Sequence, residues 1–182
     1  MSKAPTALLA RYASSMRHGP WTCRPASEGD EPLLRAVLAT SKAIELALLG
    51  PDSVLREAFI GLQMRAQRHS VERHYPGARE FVLMHLDQAA GRLWLHEDDE
   101  GLRLIDITVL PAFQRLGGAR TCLQALIRLA DLYGRSTHLH VLADNPIRHW
   151  YARLGFDLTG SAGLHQAMTR LPTILESHHE QA

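Results

Sequence analysis

Residues 102–134 read LRLIDITVLPAFQRLGGARTCLQALIRLADLYG, and they decide the fold of this chain. In the first part, the β-branched residues Ile105, Ile107 and Val109 alternate over the length of a strand. Pro111 cannot donate to a ladder of backbone hydrogen bonds, so it ends the strand or turns it away from its neighbour. The segment therefore predicts a strand followed by a turn.

A glycine-rich loop and a helix follow this strand. Gly117 and Gly118 allow a tight turn without Cβ clashes, and Gly134 is suited to end the helix. Apolar residues recur between them at helical spacing, namely Cys122, Leu123, Leu126, Ile127, Leu129, Ala130 and Tyr133. Because the loop and the first helical turn have free backbone N–H groups, and because the helix dipole is positive there, the unit predicts a site for a phosphate or pyrophosphate.

The loop matches neither of two common nucleotide-binding patterns, since GxGxxG and GxxxxGK[ST] are both absent. It resembles motif A of the GNAT superfamily of N-acetyltransferases, which is Q/R-x-x-G-x-G/A after a strand ending in Val-x-Pro. Here the pattern is Gln114-Arg115-Leu116-Gly117-Gly118-Ala119, preceded by Val109-Leu110-Pro111. Residues 139–156, LHVLADNPIRHWYARLGF, are similar to the superfamily's motif B: a strand, an Asn, a short helix with a Tyr, then Leu-Gly-Phe. The two motifs follow in the order and spacing of the superfamily, so the chain is identified as a member of it.

Length and composition fit this interpretation. The 182 residues suit one domain with a sizeable core, and 46% hydrophobic with 21% charged residues is ordinary for a globular protein. A net charge of +1 gives no indication of nucleic acid or an acidic membrane as partner. Two cysteines far apart in sequence favour free thiols in a reducing compartment, and no apolar run of about 18 residues predicts a membrane span. We therefore expect a cytoplasmic protein.

We expect three parts along the chain: an N-terminal extension at 1–20, one acetyltransferase domain at 21–172 and a polar tail at 173–182. The extension is basic and lacks acidic residues, as a transit peptide would. The alternative is a cytosolic extension with a short helix through Leu8, Leu9 and Tyr12 that docks on the domain.

The fold class expected is α/β (α+β). The resemblance implies a mixed, twisted sheet of about six or seven strands with helices on both faces and a splay between the two central parallel strands. Further strands are predicted at 21–26, 81–86, 92–96, 137–143, 156–160 and 164–171, and helices after Ser27 or Asp30, at 42–49, from Asp52 or Ser53 to His74, and after Asn145. We expect the long helix to bury Leu55, Phe59, Leu62 and Ala66. The hairpin at 81–96 is expected to turn through 87–91, with Leu86 in the core.

Metal sites are not predicted. His69 and His74 lie five residues apart, which does not put them on one helix face, and the carboxylates of 97–100 point in different directions along a turn.

The resemblance implies that acetyl-CoA binds where the two central strands splay, a crevice of the kind that holds ligands in open sheets. It assigns the pyrophosphate to the loop residues Gln114, Arg115, Leu116, Gly117, Gly118, Ala119 and Arg120. Backbone groups of Ile107, Val109 and Leu110 would pair with the pantetheine arm, and one N–H would polarise the thioester carbonyl. Asn145 would contact the same arm; the alternative for Asn145 is a helix N-cap.

The resemblance also implies two catalytic side chains. Tyr151 would be the general acid that protonates the departing thiolate, since a phenol and a thiol have comparable pKa values. Asp106 is the first candidate for the base that deprotonates the amine; its alternative role is a structural carboxylate bonded to a neighbouring strand. By alternation Asp106 shares a face with Leu104 and Thr108, unless a bulge changes it. His138 or His140 is the second candidate for the base.

We therefore expect transfer of an acetyl group from acetyl-CoA to a primary amine of a small molecule or peptide, in a ternary complex. A rival of another class is a non-catalytic acyl-CoA-binding module, and a longer acyl donor is a third option. The sequence does not name the acceptor. A homodimer is also open, because edge strands can pair.

Overall fold

The computed structural model describes residues 8–173, which form a seven-stranded sheet and six α-helices. The strands are β1 (Trp21–Pro25), β2 (Arg79–His85), β3 (Gln88–Glu97), β4 (Gly101–Val109), β5 (Ser136–Leu142), β6 (Asp157–Ala162) and β7 (His165–Arg170). The helices are α1 (Leu8–Ser15), α2 (Glu31–Ser41), α3 (Ala43–Leu48), α4 (Ser53–His74), α5 (Gly118–Leu132) and α6 (Arg148–Arg153). The strand order is β1-β2-β3-β4-β5-β7-β6, in which β4 and β5 are parallel and the other described neighbours are antiparallel. This mixed sheet confirms the predicted fold class.

Helices cover both faces of the sheet. On one face, α1 and α5 pack on a core that includes Leu93 and Leu95 of β3. On the other face, Arg92 of β3 donates to Gln67 of α4 at 3.0 Å, and α2, α3 and α4 share a second apolar cluster. The residues between 1 and 7 of the expected extension, and those of the expected tail from 174 onward, lie outside the described part of the chain.

The short N-terminal helix of the second interpretation of the extension is present. Leu8, Leu9 and Tyr12 of α1 are buried in the main core. The Tyr12 hydroxyl donates to the carbonyl oxygen of Cys122 at 2.9 Å, which ties α1 to α5.

The long helix α4 begins as predicted but buries a different face. Asp52 caps it by accepting hydrogen bonds from the backbone N–H groups of Val54 (2.9 Å) and Leu55 (3.0 Å). The predicted face is wrong, because Leu55 is 48% exposed and Leu62 is 57% exposed. The buried residues are Ile60, Gly61, Met64 and Val71. Apolar residues occur on more than one side of this helix, so the packing against α2 selects the inward side.

The turn between β2 and β3 is shorter than predicted. Leu86 and Asp87 both have positive φ, 47° and 66°, so two residues make the turn and β3 already begins at Gln88. Leu86 is 68% exposed and is not a core residue. Gly91 lies within β3, where a Cβ would come 2.3 Å from the carbonyl oxygen of Thr108. This glycine permits a close approach of β3 and β4 and does not form a turn.

A bulge in β4 changes which residues share a face. Trp94 pairs with Asp106 and Leu95 pairs with Leu104, so Ile105 is an extra residue on β4. Leu104 consequently faces the main core, while Asp106 lies on the opposite face. The expectation that Leu104 shares a face with Asp106 is wrong for this reason.

The two parallel strands separate halfway along their length. The pairing of β4 with β5 runs from Gly101 with Ser136 to Leu104 with Leu139. Beyond Leu104, β4 continues to Val109 beside β3, and β5 continues to Leu142 beside β7. The predicted splay is therefore present, and it begins at the bulge.

Candidate active site

A cavity of about 270 Å³ lies in the fork between β4 and β5. Its lining consists of Leu104, Ile105, Asp106, Ile107, Leu139, His140, Val141, Leu142, Asn145, Ile147, Tyr151 and His165. The fold thus brings together five of the residues that the sequence singles out, namely Asp106, Ile107, His140, Asn145 and Tyr151. They come from β4, from β5, from the segment after β5 and from α6.

A second cavity of about 240 Å³ lies beside the glycine-rich loop. It is lined by Val109, Phe113, Gln114, Arg115, Gly117, Gly118, Ala119 and Arg120. Six of the seven loop residues that the sequence assigns to the pyrophosphate therefore face one space. Leu116, the seventh, is 51% exposed and is not part of this lining.

The loop has the backbone geometry of an anion site. Arg115 and Gly117 both have positive φ, 63° and 83°, and Gly117 is the N-cap of α5. Left-handed residues next to a helix start turn successive N–H groups toward one side, where the helix dipole adds positive potential. The first turn of α5 contains no acidic side chain that would occupy these groups. The residues present fit a phosphate or diphosphate.

The end of β4 connects the two cavities. The N–H of Leu110 already donates to the carbonyl oxygen of Ala90 on β3 at 2.9 Å. Since alternate residues of a strand face opposite neighbours, the backbone groups of Ile107 and Val109 face the fork. The Val109 carbonyl accepts a hydrogen bond from the side-chain amide of Gln114 at 3.0 Å. An extended arm beside β4 would find free N–H groups on Ile107 and Val109 but none on Leu110.

Asp106 is held by a buried ion pair. Arg92 Nη2 donates to Asp106 Oδ2 at 2.8 Å, and the Arg92 side chain is 2% exposed. Arg92 also lies 3.7 Å from a carboxylate oxygen of Glu80, so it joins two acidic side chains beneath the fork. A buried guanidinium needs such partners, because an unpaired charge would be costly. One oxygen of Asp106 therefore has the structural role considered above, a bond to the neighbouring strand β3.

Tyr151 reaches the fork from the main-core side. Its side chain packs edge-on against Phe156 with ring centroids 6.0 Å apart, and the residue is 7% exposed. Burial raises the pKa of the Tyr151 phenol, and the negative charge of Asp106 raises it further. The phenol therefore keeps its proton at neutral pH and can donate it.

His140 and His165 are the two imidazoles that line the fork. His140 lies on β5, on the face away from Leu139 and Val141, as the alternation predicts. Burial lowers the pKa of His140, and the nearby Arg103, His165 and His138 lower it further, so the ring is neutral at neutral pH. His138 is instead bonded to Thr169 Oγ1 at 3.0 Å and does not line the fork.

His165 is the residue that the sequence reasoning missed. It lies on β7 and pairs with Leu142 at the end of β5. Its place beside the fork results from the pairing of two strands that are distant in sequence. The local sequence contained no signal for it.

Asn145 forms a side-chain turn just before α6 but is not its N-cap, which is Ile147. Its side-chain oxygen accepts a hydrogen bond from the N–H of Ile147 at 3.0 Å, at the start of the turn into α6. Asn145 also lines the fork cavity, and its contact with the cofactor arm stays a prediction.

Comparison with known proteins agrees with this geometry. The sequence model of the acetyltransferase (GNAT) family matches residues 52–156, which include the fork, the glycine-rich loop and α6. The chain belongs to the GNAT acetyltransferase family. Members of this family use acetyl-CoA as co-substrate.

Solved structures with the GNAT fold match most of this chain and nearly all of their own length. They include PaiA N-acetyltransferase from Thermoplasma acidophilum in complex with coenzyme A, with 14% identity over 83% of this chain and 98% of that one and a TM-score of 0.60. An acetyltransferase from Thermus thermophilus has 22% identity over 84% and 97% of the two chains, with a TM-score of 0.60. A spermidine N-acetyltransferase from Vibrio cholerae has 19% identity over 84% and 94%, with a TM-score of 0.53. A search of curated proteins found no significant match. At these identities the similarity establishes the fold alone.

Two further findings on the described part of this GNAT protein concern metal-binding groups and membrane-spanning helices. Within residues 8–173, no three His, Cys, Asp or Glu side chains are grouped to hold a metal ion. None of the helices in that range combines the length and the apolar character that crossing a membrane requires.

Proposed function

We propose that this protein transfers an acetyl group from acetyl-CoA to a primary amine by direct attack in a ternary complex. The observation that carries this proposal is the fork cavity, where a protonated phenol, a carboxylate and a neutral imidazole face one space at the end of β4. The second cavity, with its left-handed loop, lies at the same end of the strand and fits the diphosphate of the donor.

In this proposal the chain supplies binding, polarisation and proton transfer. Acetyl-CoA supplies the activated acetyl group. The loop from Gln114 to Arg120 holds the diphosphate through its backbone N–H groups. The N–H groups of Ile107 and Val109 bind the pantetheine arm, and one of them stabilises negative charge on the thioester oxygen during attack. Tyr151 donates its proton to the departing sulfur, and the phenolate then recovers a proton from solvent.

The attacking amine must lose a proton, and two groups in the fork can accept it. Asp106 is the first, but one of its oxygens already accepts a hydrogen bond from Arg92. The ring of His140 is neutral at neutral pH, lines the cavity, is exposed to solvent, and makes no hydrogen bond to any described residue. These features favour His140 as the base, with Asp106 attracting the cationic acceptor into the fork.

The test is to incubate the protein with acetyl-CoA and a panel of amines, and to follow the release of free thiol. The panel contains a polyamine, an aminoglycoside, a lysine peptide and a peptide with a free N-terminus. We expect thiol release well above background with at least one amine class, and an acetylated amine by mass spectrometry. Propionyl-CoA in the same assay tests whether the protein also accepts a longer acyl donor.

The contrary result is tight CoA binding with only background thiol release for every amine. It would favour the non-catalytic acyl-CoA-binding module.

A further inference from the structure

Trp21, the first residue of β1, is bonded to the glycine-rich loop. Its indole Nε1 donates to the carbonyl oxygen of Leu116 at 2.9 Å, across 95 positions of sequence. Trp21 is 2% exposed, so this buried donor is satisfied by the loop itself. Among the described residues, one other side chain outside the segment 115–120 donates to a carbonyl within it: Thr121 Oγ1, from the first turn of α5, donates to Gly117 at 3.1 Å.

The indole ring also occupies the space that a side chain at position 118 would need. A Cβ on Gly118 would lie 2.6–2.8 Å from three carbon atoms of the Trp21 ring. Gly118 stands at the unspecified position of the pattern Gln-x-x-Gly-x-Ala, and unlike Gly117 it does not have a positive φ. The glycine at 118 is therefore explained by contact with Trp21, since its backbone conformation does not require it.

Two more aromatic rings support this contact. The Trp21 ring lies 4.8 Å from the imidazole of His85, and His85 lies 6.0 Å from Phe113. Phe113 belongs to the short turn 111–113 that leads into the loop and lines the loop cavity. Trp21 at the start of β1 thus contacts the loop at Leu116 and Gly118, and His85 at the end of β2 contacts Phe113, just before the loop.

We propose that Trp21 is a positioning residue that holds the loop in its anion-binding conformation before the donor arrives. The proposal rests on the proposed function, because it takes this loop as the diphosphate site. A carbonyl bonded to the indole cannot turn toward the cavity, where it would repel a diphosphate. A loop that is already ordered also loses less conformational entropy on binding.

The experiment compares two donors that differ in the diphosphate. Trp21→Phe removes the indole N–H and keeps an aromatic ring. Titration calorimetry gives the affinity for CoA, and thiol release gives kcat/KM for acetyl-CoA and for S-acetylpantetheine, which has no diphosphate. We expect the Kd for CoA to rise by about 3- to 10-fold, as for the loss of one hydrogen bond, with kcat at saturating acetyl-CoA and kcat/KM for S-acetylpantetheine unchanged.

Trp94→Phe is the matched control. Trp94 is also a buried indole donor, to Glu80 Oε1 at 2.6 Å, but it lies away from the loop. Its substitution is expected to leave the Kd for CoA unchanged. Gly118→Ala tests the same contact in a second way, because it keeps the indole but places a Cβ against the Trp21 ring. It is also expected to weaken CoA binding, by less in the Trp21→Phe background than in the wild type.

The outcomes separate the two proposals. Unchanged CoA affinity in Trp21→Phe overturns the positioning role, and so does an equal loss for both donors, which indicates general loss of packing. Failure of the wild-type protein to bind CoA overturns the proposed function itself.

Discussion

At position 106 a carboxylate in the fork is bonded to a guanidinium that is almost fully buried. Two features of the structure fix the orientation of Asp106: the bulge in β4 and the ion pair with Arg92. The bulge at Ile105 turns Asp106 away from the main core, and Arg92 then fixes one of its oxygens. Since the Arg92 side chain lies between Glu80 and Asp106, the position of the Asp106 carboxylate is fixed.

Tyr151→Phe tests the proposed general acid. We expect kcat to fall by about 100-fold or more, because the departing thiolate loses its proton donor, while the Kd for CoA is unchanged. Steady-state thiol release and calorimetry measure the two quantities. Tyr133→Phe is the control, since Tyr133 is 39% exposed at the end of α5 and far from the fork in the sheet. Unchanged turnover in Tyr151→Phe would remove the acid assignment.

His140→Gln and Asp106→Asn test the base. The pKa of His140 is lowered from its ordinary value of 6.5, so a His140 base gives kcat/KM an acidic limb below pH 6.5. We expect His140→Gln to lower kcat/KM and abolish that limb, and His138→Gln, the control, to leave it in place. Asp106→Asn is expected to raise KM for the amine and to lower the melting temperature, because Arg92 loses a partner. An intact acidic limb in His140→Gln together with its loss in Asp106→Asn would assign the base to Asp106.

At the scale of elements, α1 is an integral part of the main core. Its three buried side chains pack with residues of β1, β3 and α5, and one hydroxyl is fully buried. The helix is short, so its stability comes from this packing and from the bond to α5.

Tyr12→Phe tests that attachment. The substitution removes the hydrogen bond to the Cys122 carbonyl and leaves a buried acceptor with one partner fewer, so we expect a loss of about 1 kcal/mol in the free energy of unfolding. Urea denaturation measures it. Tyr75→Phe, at a half-buried ring at the end of α4, is expected to change the free energy of unfolding by much less. Equal effects of the two substitutions would contradict the role of the α1–α5 bond.

At the scale of the whole molecule, two buried thiols make the free energy of unfolding decrease at alkaline pH. Burial, together with a smaller effect of Cys122, raises the pKa of Cys23 from 9.0 to about 12, and burial raises the pKa of Cys122 from 9.0 to about 12. Above pH 9 the unfolded chain therefore loses these protons while the folded protein keeps them. The contribution of each thiol is fully present below pH 9 and is lost as the pH rises toward 12.

We expect the free energy of unfolding to fall between pH 8 and 10.5 under reducing conditions, by up to about 1.4 kcal/mol per thiol and pH unit above pH 9. The double variant Cys23→Ala/Cys122→Ala should be less stable at pH 7.5 but show a shallower decrease with pH. Tyr12, whose pKa is also raised by burial, adds to the slope in both proteins only above pH 10. An identical slope in the two proteins between pH 9 and 10 would contradict the prediction.

The sequence by itself determined the strand–loop–helix unit at 102–134 and the second unit at 139–156. Proline, glycine and the helical period are local signals, and the loop of an anion site is built from residues adjacent in the chain. It also determined the cap of α4, because Asp52 accepts hydrogen bonds from N–H groups two and three residues away.

Only the tertiary structure decided which sides of the elements face one another. The bulge at Ile105 depends on the pairing of β4 with β3. The inward face of α4 depends on its contact with α2, and the position of His165 depends on the pairing of β7 with β5. The bond between Trp21 and Leu116 likewise joins residues that are far apart in sequence. Each of these contacts is between residues whose local sequences are compatible with several partners, so the free energy of packing the whole chain selects among them.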